Sequence, residues 1–408
     1  MRLALFRIVL LAAAFDGVWV VRRAVFQHAQ GVSETFARSQ WHPLYAFELL
    51  GIGPPSPEVA RVAWVVVLAA IACGILGLFT RLACFLAALG TFYWVGCEYS
   101  FGKPHHTCVA LVFGLFALPL APVGARLSLD ALVRRVRAAW RGAEYAVPER
   151  GEWAALPLNL AQITIALGYF FAGMSKLVIG GPTWPNGYTL MGIMVEYRSP
   201  WSEHFYGSQP LLVLMSFGLL FGQIGFVLVF LGTVWRWIFL PIAVLFNVMA
   251  MQTMGTGAFL TLWLVLSCFV ALEAIPSFLR RFVGAGPPWR RVLVAVGLGA
   301  VTYKTVAIYS SRKPEWLPWL LLPLASVFVL AALPRLWPKL AVRFDPSRAS
   351  ARVLAELLSA SDWGGRIELR PEVGARGVKV EGARTLLALM PRLPPLLFLA
   401  AGAVGLLR

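Results

Sequence analysis

Residues 59–78 read VARVAWVVVLAAIACGILGL, and residues 156–176 read LPLNLAQITIALGYFFAGMSK. Each run carries a single charge, Arg61 or Lys176, and each is long enough to cross a hydrocarbon core of about 30 Å as a helix. Similar apolar runs fall at 3–21, 82–99, 106–122, 210–232, 236–254, 258–274, 292–310 and 316–333. In lipid the backbone satisfies itself only in helices or closed barrels, and runs of this length call for helices. The expected fold is therefore an all-α polytopic membrane protein of about eight to ten transmembrane helices, with a small α/β appendage at its carboxyl end.

Composition agrees. The 408 residues are 59% hydrophobic and 13% charged, with a mean hydropathy of +0.74, whereas globular chains are nearer half apolar and a quarter charged. The formal charge of +17 comes largely from arginines flanking apolar runs, the mark of cytoplasmic loops rather than of nucleic-acid binding. Cys73, Cys84, Cys97, Cys108 and Cys268 all lie in or beside apolar segments, with no CxxC and no metal-ligand spacing. They read as small packing residues, and no metal site is expected. Met1 to Phe15 has the make-up of a signal peptide, with Ala12 to Ala14 as its cleavage region. The apolar run resumes through Val18 to Val21 before Arg22 and Arg23 stop it, which favours a retained first helix.

With ten spans, arginine and lysine number 14 on the amino-terminal side and 8 on the other, so the amino terminus and the carboxyl tail are expected in the cytoplasm of a bacterial plasma membrane. Residues 127–140, LSLDALVRRVRAAW, gather leucine, valine and tryptophan on one face and arginine on the other, the pattern of a helix lying on the membrane surface. After about Val342 a strand-like run, an amphipathic helix at 349–358 and a second strand-like run at 366–369 form a small α/β pattern. The expected domains are 1–335 in the membrane and 342–408 outside it.

Polar residues cluster at the outer edge of the spans. Gln162, Tyr169 and Lys176 recur every seven residues, close to two helical turns, and so share one stripe. Lys176 could simply reach for the interface. Alternatively, because an ammonium ion is disfavoured out of water, a lysine in apolar surroundings can shed its proton near neutral pH and act as a base. His105 and His106 open the fourth span; they serve polar packing, or one of them exchanges protons. Asn247 and Gln252 lie near the end of the seventh span and need partners if buried. Asp16 and Glu98 are expected to pair with basic residues.

The run Tyr169-Phe170-Phe171-Ala172-Gly173-Met174-Ser175-Lys176-Leu177, followed by Trp184 and Gly187-Tyr188, resembles a signature of the HTTM family, which includes the vitamin K-dependent γ-glutamyl carboxylase. His105-His106-Thr107 leading to Leu127-Ser128-Leu129-Asp130, then Phe246-Asn247 with Gln252, Gly257 and Phe259, and finally Arg7 with Gly77-Leu78-Phe79-Thr80-Arg81, agree in the same order. The resemblance covers about residues 1–335. It implies an outward-facing intramembrane cavity with Lys176 as the catalytic base that deprotonates a quinol, menaquinol or vitamin K-like, and His106 as assisting acid or base. Reaction of the deprotonated quinol with oxygen then makes a much stronger base, able to take a proton from a glutamate γ-carbon in a carboxylase-like reaction. His105, Tyr169, Gln162, Trp184, Asn247 and Gln252 are the expected cavity-binding residues, and the implied substrate is a secreted or membrane peptide or protein. Asn247 stands where the family has histidine, so that proton exchange is missing. Residues 342–408 resemble a shortened DCC-type, thioredoxin-like domain, but Pro346-Ser347-Arg348-Ala349-Ser350 occupies the place of its CxxC. Without a thiolate it cannot exchange disulfides. A second reading of the same residues is a non-enzymatic maturation or export factor, in which the cavity binds a peptide or lipid and Lys176 anchors charge.

Overall fold

A computed structural model describes residues 2–30, 40–102, 107–145, 152–197, 202–254, 268–270, 340–361, 367–374 and 379–380. They divide into two compact units, residues 2–130 with 152–270, and residues 131–145 with 340–380.

The first unit is helical: α1 (Arg2–Gln30), the short α2 (Tyr45–Leu49), α3 (Pro57–Leu76), α4 (Thr80–Phe101) and α5 (Thr107–Ala117) precede α6 (Leu129–Arg141), whose body belongs to the second unit. After it come α7 (Leu156–Gly180), α8 (Tyr188–Tyr197), α9 (Gln209–Gly225) and α10 (Thr233–Met254). Among the described residues five helices are long and apolar enough to cross a membrane, and Arg2–Trp19 with Val21–Ala29, bent by 45°, makes a sixth if counted as one span. A lipid bilayer is the environment these apolar helices suit. The run expected at 106–122 is the eleven-residue α5 followed by a 3-10 turn at Leu118–Leu120, where Pro119 and Pro122 end regular helix. The runs at 258–274, 292–310 and 316–333 lie outside the described residues, apart from 268–270.

Helix continues past Arg22 and Arg23, where the apolar run ends, after the 45° bend between Trp19 and Val21. The Arg22 guanidinium donates to the Trp19 carbonyl at 2.8 Å and lies 4.2 Å from the centre of the Trp19 ring. Its charge is thus carried along the helix wall, and α1 continues to Gln30. Phe15, Trp19, Phe26, Trp64 and Trp94 form a continuous aromatic cluster between α1, α3 and α4. Within it the buried Trp94 indole finds its acceptor at the Val18 carbonyl, 3.1 Å away.

Local signals set the ends of α3. The Ser56 hydroxyl accepts from the Val59 amide, Pro57 takes the first helical position, and Gly77 closes the helix with φ of 71°. A Cβ on Gly77 would stand 2.2 Å from that of Ser128, so the position requires glycine twice over. Asp130 then caps the start of α4, accepting from the amides of Phe79 and Thr80 and from the Thr80 hydroxyl. From the other side the fully buried Arg7 donates to the carbonyls of Val123, Ile75 and Leu127. Phe79 and Leu127, the only non-glycine residues with positive φ among those described, both sit in this node.

In the second unit β1 (Leu340–Phe344) pairs parallel with β2 (Ile367–Pro371) and antiparallel with β3 (Lys379–Val380), giving the order β2-β1-β3. The crossover helix α11 (Ala349–Ser361) packs Leu354 and Leu358 on Val342, Ile367 and Leu369. This is the expected strand, helix and strand, and a parallel pair is what such a crossover produces. In the turn after β1 Asp345 accepts from the hydroxyl and amide of Ser347, which hold its carboxyl below the usual carboxylate range.

Arg352 joins α11 to α6. Its guanidinium donates to the carbonyls of Ala139 at 2.8 Å, Trp140 at 3.2 Å, Pro346 at 2.8 Å and Ser347 at 2.9 Å. Losing these bonds costs roughly 1–2 kcal/mol. Arg352→Ala is therefore expected to speed proteinase K cleavage within residues 340–361 of the full-length protein by about tenfold. An unchanged rate would mean that the latch carries no load.

Candidate functional site

The site is built on α7, from the stripe that the seven-residue spacing marks. Gln162, Tyr169 and Lys176 do share one side of the helix, but each meets a different partner. The Gln162 amide donates to the Cys268 carbonyl at 2.8 Å. Tyr169, 7% exposed, stacks on Phe226 at 4.7 Å between centroids, and its hydroxyl accepts from the Asn247 side-chain amide. That amide spends its second hydrogen on the Ala243 carbonyl at 2.7 Å. Asn247 is 1% exposed, and this pair ties α10 to α7.

Lys176 lies two turns further on and is partly buried. Its ammonium nitrogen donates to the Ala172 carbonyl at 2.8 Å and lies 5.7 Å from the centre of the Trp184 ring. Among the described residues no carboxylate pairs with it. Trp184 reaches this position because the chain folds back at the helix end. Gly181 takes φ of 74°, and Gly180 lies so close under the indole that a Cβ there would meet it at 2.4 Å. Trp184 opens a 3-10 turn, Asn186 caps α8 by accepting from the Tyr188 amide at 2.9 Å, and Gly187 packs directly on Leu212 of α9. The motif residues Ala172, Gly173, Lys176, Trp184 and Gly187 thus do connected work: a carbonyl for the lysine, a close helix contact, the lysine, its aromatic wall and a tight turn.

Sequence reading missed one member. Gln223 of α9 is 6% exposed, and its buried carbonyl oxygen has no hydrogen-bond partner among the described residues. A Cβ on Gly173 would stand 3.1 Å from the Gln223 Cβ and 2.6 Å from Ile224, so α7 and α9 touch there. Gly173 is four residues beyond Tyr169 and three before Lys176. Gln223 therefore enters the stripe between them. The signal in the sequence was the glutamine flanked by Gly222 and Gly225 in an apolar run. Those glycines let α9 close on Ile242 and Phe239 of α10.

His105 and His106 lie outside the described residues, as does the side chain of Gln252. Of the acidic pair, Glu98 has one buried carboxylate oxygen without a partner among the described residues. No group of three or more metal-ligating side chains occurs among the described residues.

No family model, curated protein or solved structure matches this chain.

Proposed function

We propose that this chain is an HTTM-type integral membrane protein, and that the polar stripe of α7 binds a lipid-soluble quinol on which Lys176 acts as a base. The observation that carries the reading is the setting of Lys176, a partly buried lysine in an apolar helix with no carboxylate beside it among the described residues, its ammonium group on the Ala172 carbonyl and near the Trp184 ring. A lysine kept to anchor charge is expected to hold a carboxylate; one kept for proton removal needs surroundings without a counter-charge.

The residues fit a quinol. Tyr169, Phe226 and Phe246 make the surroundings of the stripe aromatic, and Gln223, whose side-chain oxygen has no partner among the described residues, adds polarity there. A quinol brings an ionisable hydroxyl and, with oxygen, reducing electrons. The chain's part is to hold that hydroxyl near Lys176 and to exclude water. His106 is assigned the assisting acid-base role on the sequence resemblance. Such a site would serve carboxylase-like chemistry on a secreted or membrane peptide.

Quinol oxidation under oxygen by the purified, solubilised protein tests this. Wild type is expected to oxidise a naphthoquinol, and Lys176→Ala and His106→Ala, at equal folded yield, are expected to lose about 10²- to 10⁴-fold. Equal rates in all three proteins would remove the proposal.

A further inference from the structure

The body of α6 leaves an apolar stripe uncovered. Val133, Val136 and Trp140 recur at steps of three and four and so share one side of the helix, with Val133 45% and Trp140 63% exposed. Arg134, Arg137 and Arg141 follow the same steps about a quarter turn round, and all three are exposed. Ala131 and Ala139 are buried on the remaining side. Neither Arg137 nor Arg141 meets a carboxylate among the described residues.

Charge and place together say what covers the stripe. The thirteen residues of α6 hold four arginines and a single acid, Asp130, whose carboxylate is spent on the amides of Phe79 and Thr80. Those amides belong to the turn between α3 and α4, and both helices are long and apolar enough to cross a membrane. The start of α6 is thereby fixed at a bilayer edge. A cationic helix that begins at that level, with an indole on its apolar stripe, suits a sheet of negative headgroups.

We infer that α6 binds anionic phospholipid and holds the second unit on the membrane surface. Val133, Val136 and Trp140 enter the boundary between headgroups and acyl chains, and Arg134, Arg137 and Arg141 bond lipid phosphates beside them. A zwitterionic surface accepts the stripe but offers the arginines no net charge, so the helix selects lipids by charge. Arg352 of α11, bonded to the carbonyls of Ala139 and Trp140, carries the α/β appendage with it.

Chymotrypsin cleavage after Trp140, read as the fragment that begins at Arg141, tests this on the full-length protein in lipid nanodiscs. With about three-tenths phosphatidylglycerol, wild type is expected to be cut there about tenfold more slowly than in phosphatidylcholine alone. Sodium chloride at about 0.5 M is expected to remove most of that difference by screening exposed charges. Arg134→Gln/Arg137→Gln is expected to be cut in both lipids at the rate of wild type in phosphatidylcholine, which also shows that the variant is folded. Equal wild-type rates in the two lipids overturn the inference. Fast cleavage in both leaves α6 in water, and slow cleavage in both means that protein, or apolar burial alone, covers Trp140. A difference that survives in the double variant overturns it as well. The quinol reading is untouched by either result.

Discussion

Arg7→Met is expected to be the most damaging single change in the helical unit, lowering stability by roughly 2–4 kcal/mol. Arg7 is fully buried, and its guanidinium answers three carbonyls, from Ile75 at the end of α3, Val123 beyond α5, and Leu127 just before α6. Methionine fills much of the volume but donates nothing, so three acceptors lose a charged donor at once. The removal of a desolvated charge offsets part of this. The loss falls on a strained place: Leu127 has φ of 46° and Phe79 φ of 45°. Conformations of that kind cost about 1–3 kcal/mol each and persist only where neighbours over-determine them. Arg7 holds the first through its carbonyl, and Asp130 holds the second through its amide. Arg7→Lys should recover only part of the loss, since a single ammonium cannot span the three positions. The monodisperse fraction after graded heating in detergent reports the effect. Wild-type behaviour of Arg7→Met would show that the carbonyls find other donors.

Substitution of Lys176 separates proton removal from charge. Arginine keeps the charge and can still bond a carbonyl and face an indole, but it does not give up its proton in proteins. If Lys176 is a base, Lys176→Arg should oxidise quinol as poorly as Lys176→Ala, about 10²- to 10⁴-fold below wild type. If the site instead belongs to a maturation or export factor that uses the charge to hold a peptide or lipid, Lys176→Arg should keep most function and Lys176→Ala should lose it. The local structure permits the exchange, since Lys176 is only partly buried and its neighbours Ser175 and Val178 face outward. Both variants should therefore fold, which makes the comparison a clean one.

The five long apolar helices were legible because length and apolarity alone specify them, and the stripe of α7 was legible because a spacing of seven keeps residues on one side of a helix. The strand, helix and strand order of the second unit followed from patterning in the same way. What escaped depended on tertiary partners. Nothing in the sequence says that Arg22 will lie on Trp19 and let α1 run on to Gln30. The helix Tyr188–Tyr197 is ten residues long and starts from an Asn186 cap inside what reads as a loop. Gln223 looked like one polar residue in a span, because its meaning comes from Gly173 across the interface. The convergence of Arg7, Gly77, Ser128 and Asp130, far apart in sequence, was likewise visible only as separate motifs.

Photoaffinity labelling of the solubilised protein with an azido-naphthoquinone, followed by peptide mapping, tests the central claim most directly, namely that a lipid-soluble ring binds along the polar stripe of α7. The account predicts label on residues 169–176 of α7 and 216–225 of α9, displaced by an excess of the unlabelled quinol. Label scattered over the outward faces of the helices, or label on those segments that unlabelled quinol does not displace, would contradict it.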